Sequence, residues 1–282
     1  MKLFEELDNR KISERQYRIH PALSRSELWR LSDSPEKFQY AQTHPTEPTE
    51  AMLFGSLVHK MVLEPDDLFT EYALAPDSDR RTKAGKAEWD EFLEEAGDRI
   101  VISNRQLRPA LYMVDAIKRS PLAMKLLNGP HEIPFFWSDP ETGLVLKCRV
   151  DGLIELNGRI AIIDYKTAAS AQTERFSQEA IRYGYHFQAA FYASGVRKDL
   201  ELDYDPEFIF IVQEKKEPYS INVIKASSDF TLAGFDKMRE LLSLYNECAE
   251  TGVWYGYTGF FDDINETILP GWMQLGIDEE EE

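Results

Sequence analysis

Cysteine is scarce in this sequence. Its only two copies among 282 residues, Cys148 and Cys248, are too far apart to form CxxC or a similar metal-ligand pattern. Disulfides are rare in reducing compartments, so this usage is typical of an intracellular protein with reduced thiols. Cys148 falls within an alternation of apolar residues, and we therefore expect a buried thiol there.

Long apolar runs are also missing. No stretch approaches the roughly 20 apolar residues that a transmembrane helix needs. The opening residues, MKLFEELDNRK, turn charged at once, so we expect no secretory signal peptide. Together these absences predict a cytoplasmic protein that has no membrane partner.

Net positive charge is the third absence. The formal net charge is −18, and the last five residues, 278–282, are all acidic. Such a run is typical of a solvated tail and is sometimes a docking segment for a partner. Contact with DNA needs only a local basic surface, so the negative sum does not exclude nucleic acid. One basic cluster consists of Arg80, Arg81, Lys83 and Lys86, and it is either a solvated face or a phosphate-binding surface.

Apolar residues are plentiful, at 43% of the chain, which is enough to bury a sizeable core. Their spacing, with a helix start at Ser34-Pro35, predicts helices over 50–63, 83–96, 103–119, 176–196 and 228–250. Gly184 interrupts or restarts the fourth of these. Strands are predicted over 133–137, 144–151, 154–156, 159–166, 207–213 and 219–225. We find no repeat and no linker, which favours one mixed α/β domain over residues 1–282: mostly helical over 1–129, a sheet core over 130–250, and an irregular segment over 251–282.

One segment, VDGLIELNGRIAIIDYKT at 150–167, has the composition of a buried hairpin. Asn157-Gly158 is a strong signal for a two-residue turn. Residues two apart in a strand share a face, so Asp164 and Lys166 point the same way. Asp151 ends the polar face of the preceding strand. If the two strands are neighbours, both carboxylates and the ammonium meet at one place.

Two carboxylates in one partly buried site repel each other and lose hydration. A divalent cation removes this cost, and Mg²⁺ takes such oxygen ligands while keeping positions for water and phosphate. A lysine beside them can orient or deprotonate a water that attacks phosphorus. The constellation therefore indicates metal-assisted phosphodiester hydrolysis, although an acid-x-lysine pair is also typical of a surface salt bridge.

The motifs in this order resemble the PD-(D/E)XK nuclease superfamily, and within it the RecB-like branch and the RecE-type exodeoxyribonuclease VIII family. Asp151 and Asp164-Tyr165-Lys166 match its acids and lysine, Gly55-x-x-x-His59 its histidine motif, and Gln188-x-x-x-Tyr192 its later helix motif. The likeness covers nearly the whole chain, from 34–38 to the closing segments 257–264 and 269–272. It implies a nuclease core with a central mixed β-sheet flanked by helices and a helical N-terminal elaboration.

The resemblance also implies catalytic roles. Asp151, Asp164 and the carbonyl of Tyr165 would hold two Mg²⁺ ions, for which Mn²⁺ can substitute, with Asp151 as the bridging ligand. His59 would bind the second metal or position the leaving-group side of the phosphate. Lys166 would orient or activate the attacking water.

Other residues receive substrate roles. Gln188 and Tyr192 share a helix face, and Gln188 would contact DNA or brace the site. The alternative is an ordinary surface position for Gln188 and ordinary packing for Tyr192. The basic cluster of Arg80, Arg81, Lys83 and Lys86 completes the candidate substrate-binding set. Glu132, just before the first predicted strand, is either a further metal ligand or a surface glutamate.

In family terms the activity would be a processive 5′→3′ exonuclease on double-stranded DNA ends that releases 5′-mononucleotides and leaves 3′ overhangs. The resemblance implies a ring-shaped homo-oligomer, with a tetramer preferred over a trimer, whose channel holds basic residues and whose outside is acidic. It further implies a RecT-like single-strand annealing partner in a bacterial, phage or prophage setting. The competing interpretations are an endonuclease or flap nuclease on the same core, and an idle acidic interaction protein. A Cas4-like iron–sulfur nuclease is disfavoured because a four-cysteine cluster is missing.

Overall fold

The computed structural model describes residues 2–259 and 264–268. The helices in these ranges are α1 (Lys2–Asp8), α2 (Glu14–Ile19), α3 (Arg25–Arg30), α4 (Pro35–Thr43), α5 (Glu50–Leu63), α6 (Leu68–Glu71), α7 (Lys83–Ala96), α8 (Asn104–Lys118), α9 (Pro121–Leu126), α10 (Thr173–Arg182), α11 (Tyr185–Asp199) and α12 (Ser228–Thr251). The strands are β1 (Leu23–Ser24), β2 (Tyr72–Leu74), β3 (Ile100–Ile102), β4 (His131–Ser138), β5 (Val145–Leu156), β6 (Arg159–Ala168), β7 (Glu207–Glu214) and β8 (Ile221–Lys225).

Six strands form one mixed sheet in the order β1-β5-β6-β7-β8, and β4 pairs with the other edge of β5. β5 and β6 are antiparallel, β6 and β7 parallel, and β7 and β8 antiparallel. The short strands β2 and β3 form a separate parallel pair. The predicted mixed α/β architecture, with a helical first part ahead of the sheet, is therefore confirmed.

Helices cover both faces of this sheet. On one face Ile160 and Ile162 of β6 belong to a buried cluster with residues of α11 and α12. On the other face Ala161, Ile163 and Tyr165 of β6 belong to a second cluster, with residues of α5 and α8. Successive residues of β6 thus alternate between the two clusters, as the two-residue period of a strand requires. A polar residue in the buried part of β6, such as Asp164, is consequently held between two apolar layers and needs a partner there.

Helix α5 crosses the sheet close to β6. Thr49 caps it by accepting a hydrogen bond from the Met52 N–H at 3.3 Å, which satisfies one of the free donors of the first turn. A Cβ at Gly55 would lie 3.5 Å from Thr167 Oγ1, so the helix backbone runs near the end of β6. The side chains of Leu57, Val58 and Met61 are buried and fix its rotation.

The predicted breaks in the chain are partly correct. Asn157 and Gly158 have φ of 51° and 77°, the pair of positive angles that a tight hairpin turn with this sequence adopts. Gly184, at φ 68°, separates α10 from α11. The break predicted after Asp151 is wrong, because β5 runs unbroken from Val145 to Leu156.

Both cysteines are buried free thiols, as expected for Cys148. No helix within the described residues is long and apolar enough to cross a membrane. Part of the segment 257–264, and all of 269–272 and 278–282, to which the closing motif and the acidic tail were assigned, lie outside the described residues.

Candidate active site

Three acidic residues lie in one row across β4, β5 and β6. Glu132 stands opposite Asp151, between the pairs His131–Gly152 and Ile133–Val150 of β4 and β5. The β5–β6 register reaches Gly152 opposite Ile163, and its next step places Asp151 opposite Asp164. Each of the three is less than a tenth exposed, so the sheet carries a row of buried carboxylates.

The strands separate at this row. β5 pairs with β6 only from Gly152 onward and with β1 only at Leu146 and Lys147, which leaves a gap in the ladder along that edge. The Asp151 carboxylate fills the gap: its Oδ2 accepts the Tyr165 N–H at 2.8 Å. The backbone donor is therefore satisfied by a side chain, and the carboxylate is fixed against β6.

Asp164 and Lys166 form the second part of the site. Lys166 Nζ lies 2.6 Å from Asp164 Oδ2, and Gln188 of α11 donates a hydrogen bond from Nε2 to Asp164 Oδ1 at 2.6 Å. Gln188 is itself buried. Of the two roles considered for Gln188, the geometry agrees with bracing the site.

His59 of α5 lies over the acidic row. Its Nε2 is 2.9 Å from Asp151 Oδ2, and its Nδ1 is 3.5 Å from Glu132 Oε1. One ligand atom from each of these three residues lies within 4.8 Å of the others. The imidazole remains 31% exposed, so this group of atoms is reached from the surface.

Glu132 also contacts a cation. Arg149 Nε lies 2.6 Å from Glu132 Oε2, and the same guanidinium forms an ion pair with Glu14 of α2. Each carboxylate of the row is thus matched with one cation: Glu132 with Arg149, Asp151 with His59, and Asp164 with Lys166. This pairing offsets the repulsion between the three acids.

Burial and charge shift the pKa values in opposite directions. Burial alone would lower the pKa of His59, but the charge and hydrogen bond of Asp151, together with Glu132, raise it to about 9. Burial raises the pKa of Glu132 to about 7 against the opposing charges of His59 and Arg149. Burial would raise the pKa of Asp151, but the charge and hydrogen bond of His59, the charge of Lys166 and the Tyr165 N–H together lower it, whereas burial dominates at Asp164 and its pKa rises. The pKa of Lys166 is raised, because Asp164 and Asp151 outweigh the effect of burial.

The donor set fits a divalent cation. Carboxylate oxygens are the ligands that Mg²⁺ takes, and imidazole nitrogen is accepted by Mn²⁺ and other transition ions. Asp164 Oδ2 is also buried without a hydrogen bond of acceptable geometry, although the Lys166 ammonium is near. A divalent cation at the row would give this oxygen a ligand bond in place of the missing hydrogen bond.

The cleft above the row has a volume of about 520 Å³. Tyr192 lines it together with His59, Asp151 and Gln188, so the two residues of the later helix motif face the same space. Tyr192 also packs against Phe208, with ring centroids 6.2 Å apart. Both the substrate-facing and the packing interpretation of Tyr192 are therefore compatible with its position.

The basic cluster is placed elsewhere, on the loop before α7 and on its first turns. Arg81 pairs with Asp79 through two contacts of 2.9 Å, and the Arg80 guanidinium lies 4.4 Å from the centroid of Trp89. Lys83 and Lys86 are exposed. These pairings and exposures are typical of a solvated surface. Binding of DNA by this cluster remains a prediction.

The part of the site that the sequence pattern left undecided is Glu132 with Arg149. Glu132 has φ 55°, so the strand alternation that would have located its side chain is broken there. Arg149 lies two residues before Asp151 on the same polar face of β5. The alternation of charges over 147–151 indicates a polar face that includes Arg149. The partner of Arg149 on β4, Glu132, could not be predicted without the register of the two strands.

Comparison with known proteins gives a matching family and a similar fold. A family model described as PDDEXK-like domain of unknown function (DUF3799) matches residues 24–267. A crystal structure described as "Putative exonuclease" from Eubacterium rectale is similar in fold, with TM-score 0.59, 15% identity, and coverage of 94% of this chain and 98% of that one. A second structure, SSO0001, has TM-score 0.35 and 13% identity, with coverage of 85% and 87%, which is too low a score to compare the folds. No curated protein sequence matches this chain.

Proposed function

Because this chain belongs to the PDDEXK-like domain family and has the fold of PD-(D/E)XK nucleases, we propose that it is a divalent-metal-dependent deoxyribonuclease. The observation that carries the proposal is the buried row of Glu132, Asp151 and Asp164, with His59 and Lys166 beside it. A fold alone does not give a function, but such a row has no evident role in stability, since buried like charges weaken a core.

The acids and His59 are the residues that would hold the metal. His59, Glu132 and Asp151 offer the grouped ligand atoms, and Asp164 completes the set from β6. A bound divalent cation supplies Lewis-acid stabilisation of charge on the phosphate and lowers the pKa of a coordinated water. The Tyr165 carbonyl is proposed as a further ligand on the resemblance alone.

Lys166 is the proposed partner of the attacking water. Its ammonium is within 2.6 Å of Asp164, and the raised pKa keeps it protonated. A protonated amine donates hydrogen bonds and stabilises negative charge, but it does not accept a proton. With no metal bound, Lys166 therefore orients a water, and abstraction of a proton requires that a cation at Asp151 and Asp164 first offset the charges that raise its pKa.

Gln188 fixes the orientation of Asp164 from the opposite side. Its amide donates to Oδ1 at 2.6 Å and leaves Oδ2 directed at Lys166. Residues that hold a metal-binding carboxylate in this way contribute strongly to affinity and activity. Gln188 acts in this proposal through Asp164 and does not touch the reacting phosphate.

The finer proposal follows the RecE-type resemblance. Mg²⁺-dependent, processive 5′→3′ digestion of double-stranded ends would release 5′-mononucleotides and leave 3′ overhangs. A RecT-like annealing protein would take the overhang in recombination. A ring-shaped homo-oligomer, as a tetramer in preference to a trimer, would let a chain of net charge −18 keep acidic surface outside and thread DNA within.

The test is digestion of linear duplex DNA labelled at one 5′ end, with Mg²⁺, by wild type and by Asp164→Asn. Asparagine keeps the shape of the side chain and removes its charge. We expect Mg²⁺-dependent release of labelled mononucleotide from linear DNA, none from closed circles, and none with the variant.

Three other outcomes have distinct meanings. Cutting of closed circles would favour an endonuclease, and cutting at branched junctions a flap nuclease on the same core. If pure wild type hydrolyses no duplex, flap or single-stranded substrate with Mg²⁺ or Mn²⁺, the nuclease proposal is wrong. An acidic interaction protein would then be the better interpretation.

A further inference from the structure

The turn between α10 and α11 presents large side chains to solvent. Tyr183 is 45% exposed and Ile181 50% exposed. Exposed aromatic and aliphatic side chains that are grouped beside a functional cleft mark a binding surface more often than scattered ones do. The position of the turn decides what it can bind.

The turn is held rigidly against the rest of the domain. The Arg25 guanidinium of α3 donates hydrogen bonds to the carbonyls of Tyr183 and of Gly184, the latter at 2.7 Å. Gly184 has φ 68°, and a Cβ there would lie 2.5 Å from the ring of Trp29. Only glycine fits this close approach, so the backbone that carries Tyr183 has one position.

Arg25 also lines the cleft above the acidic row. The residue that clamps the turn is therefore part of the wall of the candidate active site. Its Nε is buried without a hydrogen-bond partner, and its guanidinium lies 5.6 Å from the Trp29 ring centroid.

Two short contacts connect Tyr183 to the catalytic lysine. The Tyr183 and Tyr185 ring centroids are 5.9 Å apart, and Lys166 Nζ lies 4.9 Å from the Tyr185 centroid. Tyr185 thus lies between the exposed ring of Tyr183 and the ammonium that we assign to the attacking water.

We propose that Tyr183 is a stacking platform for an unpaired base of the DNA strand whose phosphate lies at the acidic row. This inference rests on the proposed nuclease function and specifies its substrate: the strand at the site is single-stranded or frayed there. Every base offers a π-face to an aromatic ring, so stacking binds a strand without selecting its sequence.

The charges around the turn fit a nucleic-acid strand. Arg182, exposed in the last turn of α10, has its guanidinium 5.8 Å from the Tyr183 centroid and reaches a phosphate next to a stacked base. By contrast, Lys147 in the cleft wall is engaged by three backbone carbonyls of residues 17–20. Aromatic stacking beside a few free cations is how single-strand-binding surfaces are built.

The test measures binding separately from hydrolysis. Single-stranded oligonucleotides that carry 2-aminopurine at successive positions from the 5′ end are titrated with Asp164→Asn, and with the same protein bearing Tyr183→Ala or Tyr183→Phe. We expect 2-aminopurine fluorescence to be quenched at one position. Tyr183→Ala should abolish this quenching and weaken binding by about tenfold, and Tyr183→Phe should retain both.

Tyr40→Ala is the matched control, because Tyr40 is 62% exposed and stacks on His44 in α4. It should bind as tightly as its parent. Since Tyr183 is exposed, its replacement should leave the thermal midpoint unchanged, and this is checked for each variant.

Several outcomes overturn the platform. These are unchanged binding by Tyr183→Ala, equal loss in the alanine and phenylalanine variants, no DNA binding by the parent, or a change in oligomer mass with DNA binding intact. The last would make the turn a subunit contact. A Tyr183→Ala variant that hydrolyses DNA as well as wild type contradicts the platform alone. Tyr183-dependent quenching in the Asp164→Asn protein, combined with no hydrolysis by the wild type, contradicts the nuclease proposal alone.

Discussion

At the scale of single residues, the candidate site is a set of matched charges. Arg149, His59 and Lys166 each compensate one carboxylate of the row. Removing one partner from such a pair leaves a buried charge without compensation, which is costly. Substitutions therefore separate the residues that hold a metal from those that only balance charge.

Glu132→Gln tests whether Glu132 is a ligand. If Glu132 Oε1 joins His59 and Asp151 at a metal, the amide should raise the Mg²⁺ concentration for half-maximal activity by about tenfold or more. Titration of nuclease activity with Mg²⁺ measures this. Glu14→Gln is the control, because Glu14 shares Arg149 with Glu132 but is not in the ligand group. An equal Mg²⁺ requirement in both variants would mean that Glu132 only pairs with Arg149 and is not a metal ligand.

Gln188→Ala distinguishes bracing from DNA contact. Loss of the hydrogen bond to Asp164 Oδ1 frees a carboxylate that the site needs in one orientation. We expect kcat to fall by about 10–100-fold with little change in KM for DNA. Steady-state kinetics on labelled duplex provides both constants. A rise in KM with kcat preserved would contradict bracing and assign Gln188 to DNA contact.

At the scale of elements, the sequence predicted the hairpin and the helices better than the break in the side-chain alternation of β5. The Asn157-Gly158 turn and the helix of Gly55 and His59 depend on local signals, which are present in the sequence. Val150 and Leu153 belong to the same core cluster although they are three residues apart, so the alternation of β5 is broken between them. This break depends on pairing with β4 and β6.

The position of Glu132 escaped prediction for the same reason. Its φ of 55° is rare for a residue other than glycine, and no local signal in the segment requires it. The register of β4 on β5, with His131 opposite Gly152 and Ile133 opposite Val150, is what places Glu132 opposite Asp151. Asp164 and Lys166, which follow the regular alternation of β6, could be placed on one face from the sequence alone.

A buried polar connection joins β6 to the helix layer that carries His59. The Tyr165 hydroxyl donates to Gln213 Oε1 of β7, and Gln213 Nε2 donates to the Met113 carbonyl of α8 at 2.9 Å. Helix α8 packs against α5. Because Gln213 is fully buried, the connection fixes the distance between the sheet and these helices.

Gln213→Leu should therefore destabilise the protein by about 1–3 kcal/mol, since it leaves the buried Tyr165 hydroxyl without its acceptor. Chemical denaturation measures the free energy of unfolding. Adding Tyr165→Phe should cost less in the Gln213→Leu background than in wild type, because the hydroxyl is already unpaired there. Additive losses would show that the two side chains are not coupled.

At the scale of the whole molecule, metal binding and protonation compete for the site. With no metal bound, folding raises the pKa of His59 from 6.5 to about 9 and that of Glu132 from 4.5 to about 7. The folded protein therefore holds protons that the unfolded chain has released. The His59 contribution to stability is full below pH 6.5 and is lost as the pH rises to about 9, whereas the destabilisation from Glu132 develops between pH 4.5 and about 7 and is fully present above that.

A divalent cation binds the deprotonated ligands and should reverse this loss, so its effect must grow with pH. We expect the increase in Tm caused by Mg²⁺ or Mn²⁺, relative to chelator, to be small near pH 6 and largest near pH 9. Thermal unfolding across this range measures it. Glutamine cannot be protonated, so His59→Gln should remove the part of the pH dependence of the metal-induced Tm increase that arises above pH 7. A metal-induced shift that stays constant from pH 6 to pH 9 in wild type would mean that the cation does not displace the His59 proton, and that the ligand set is wrong.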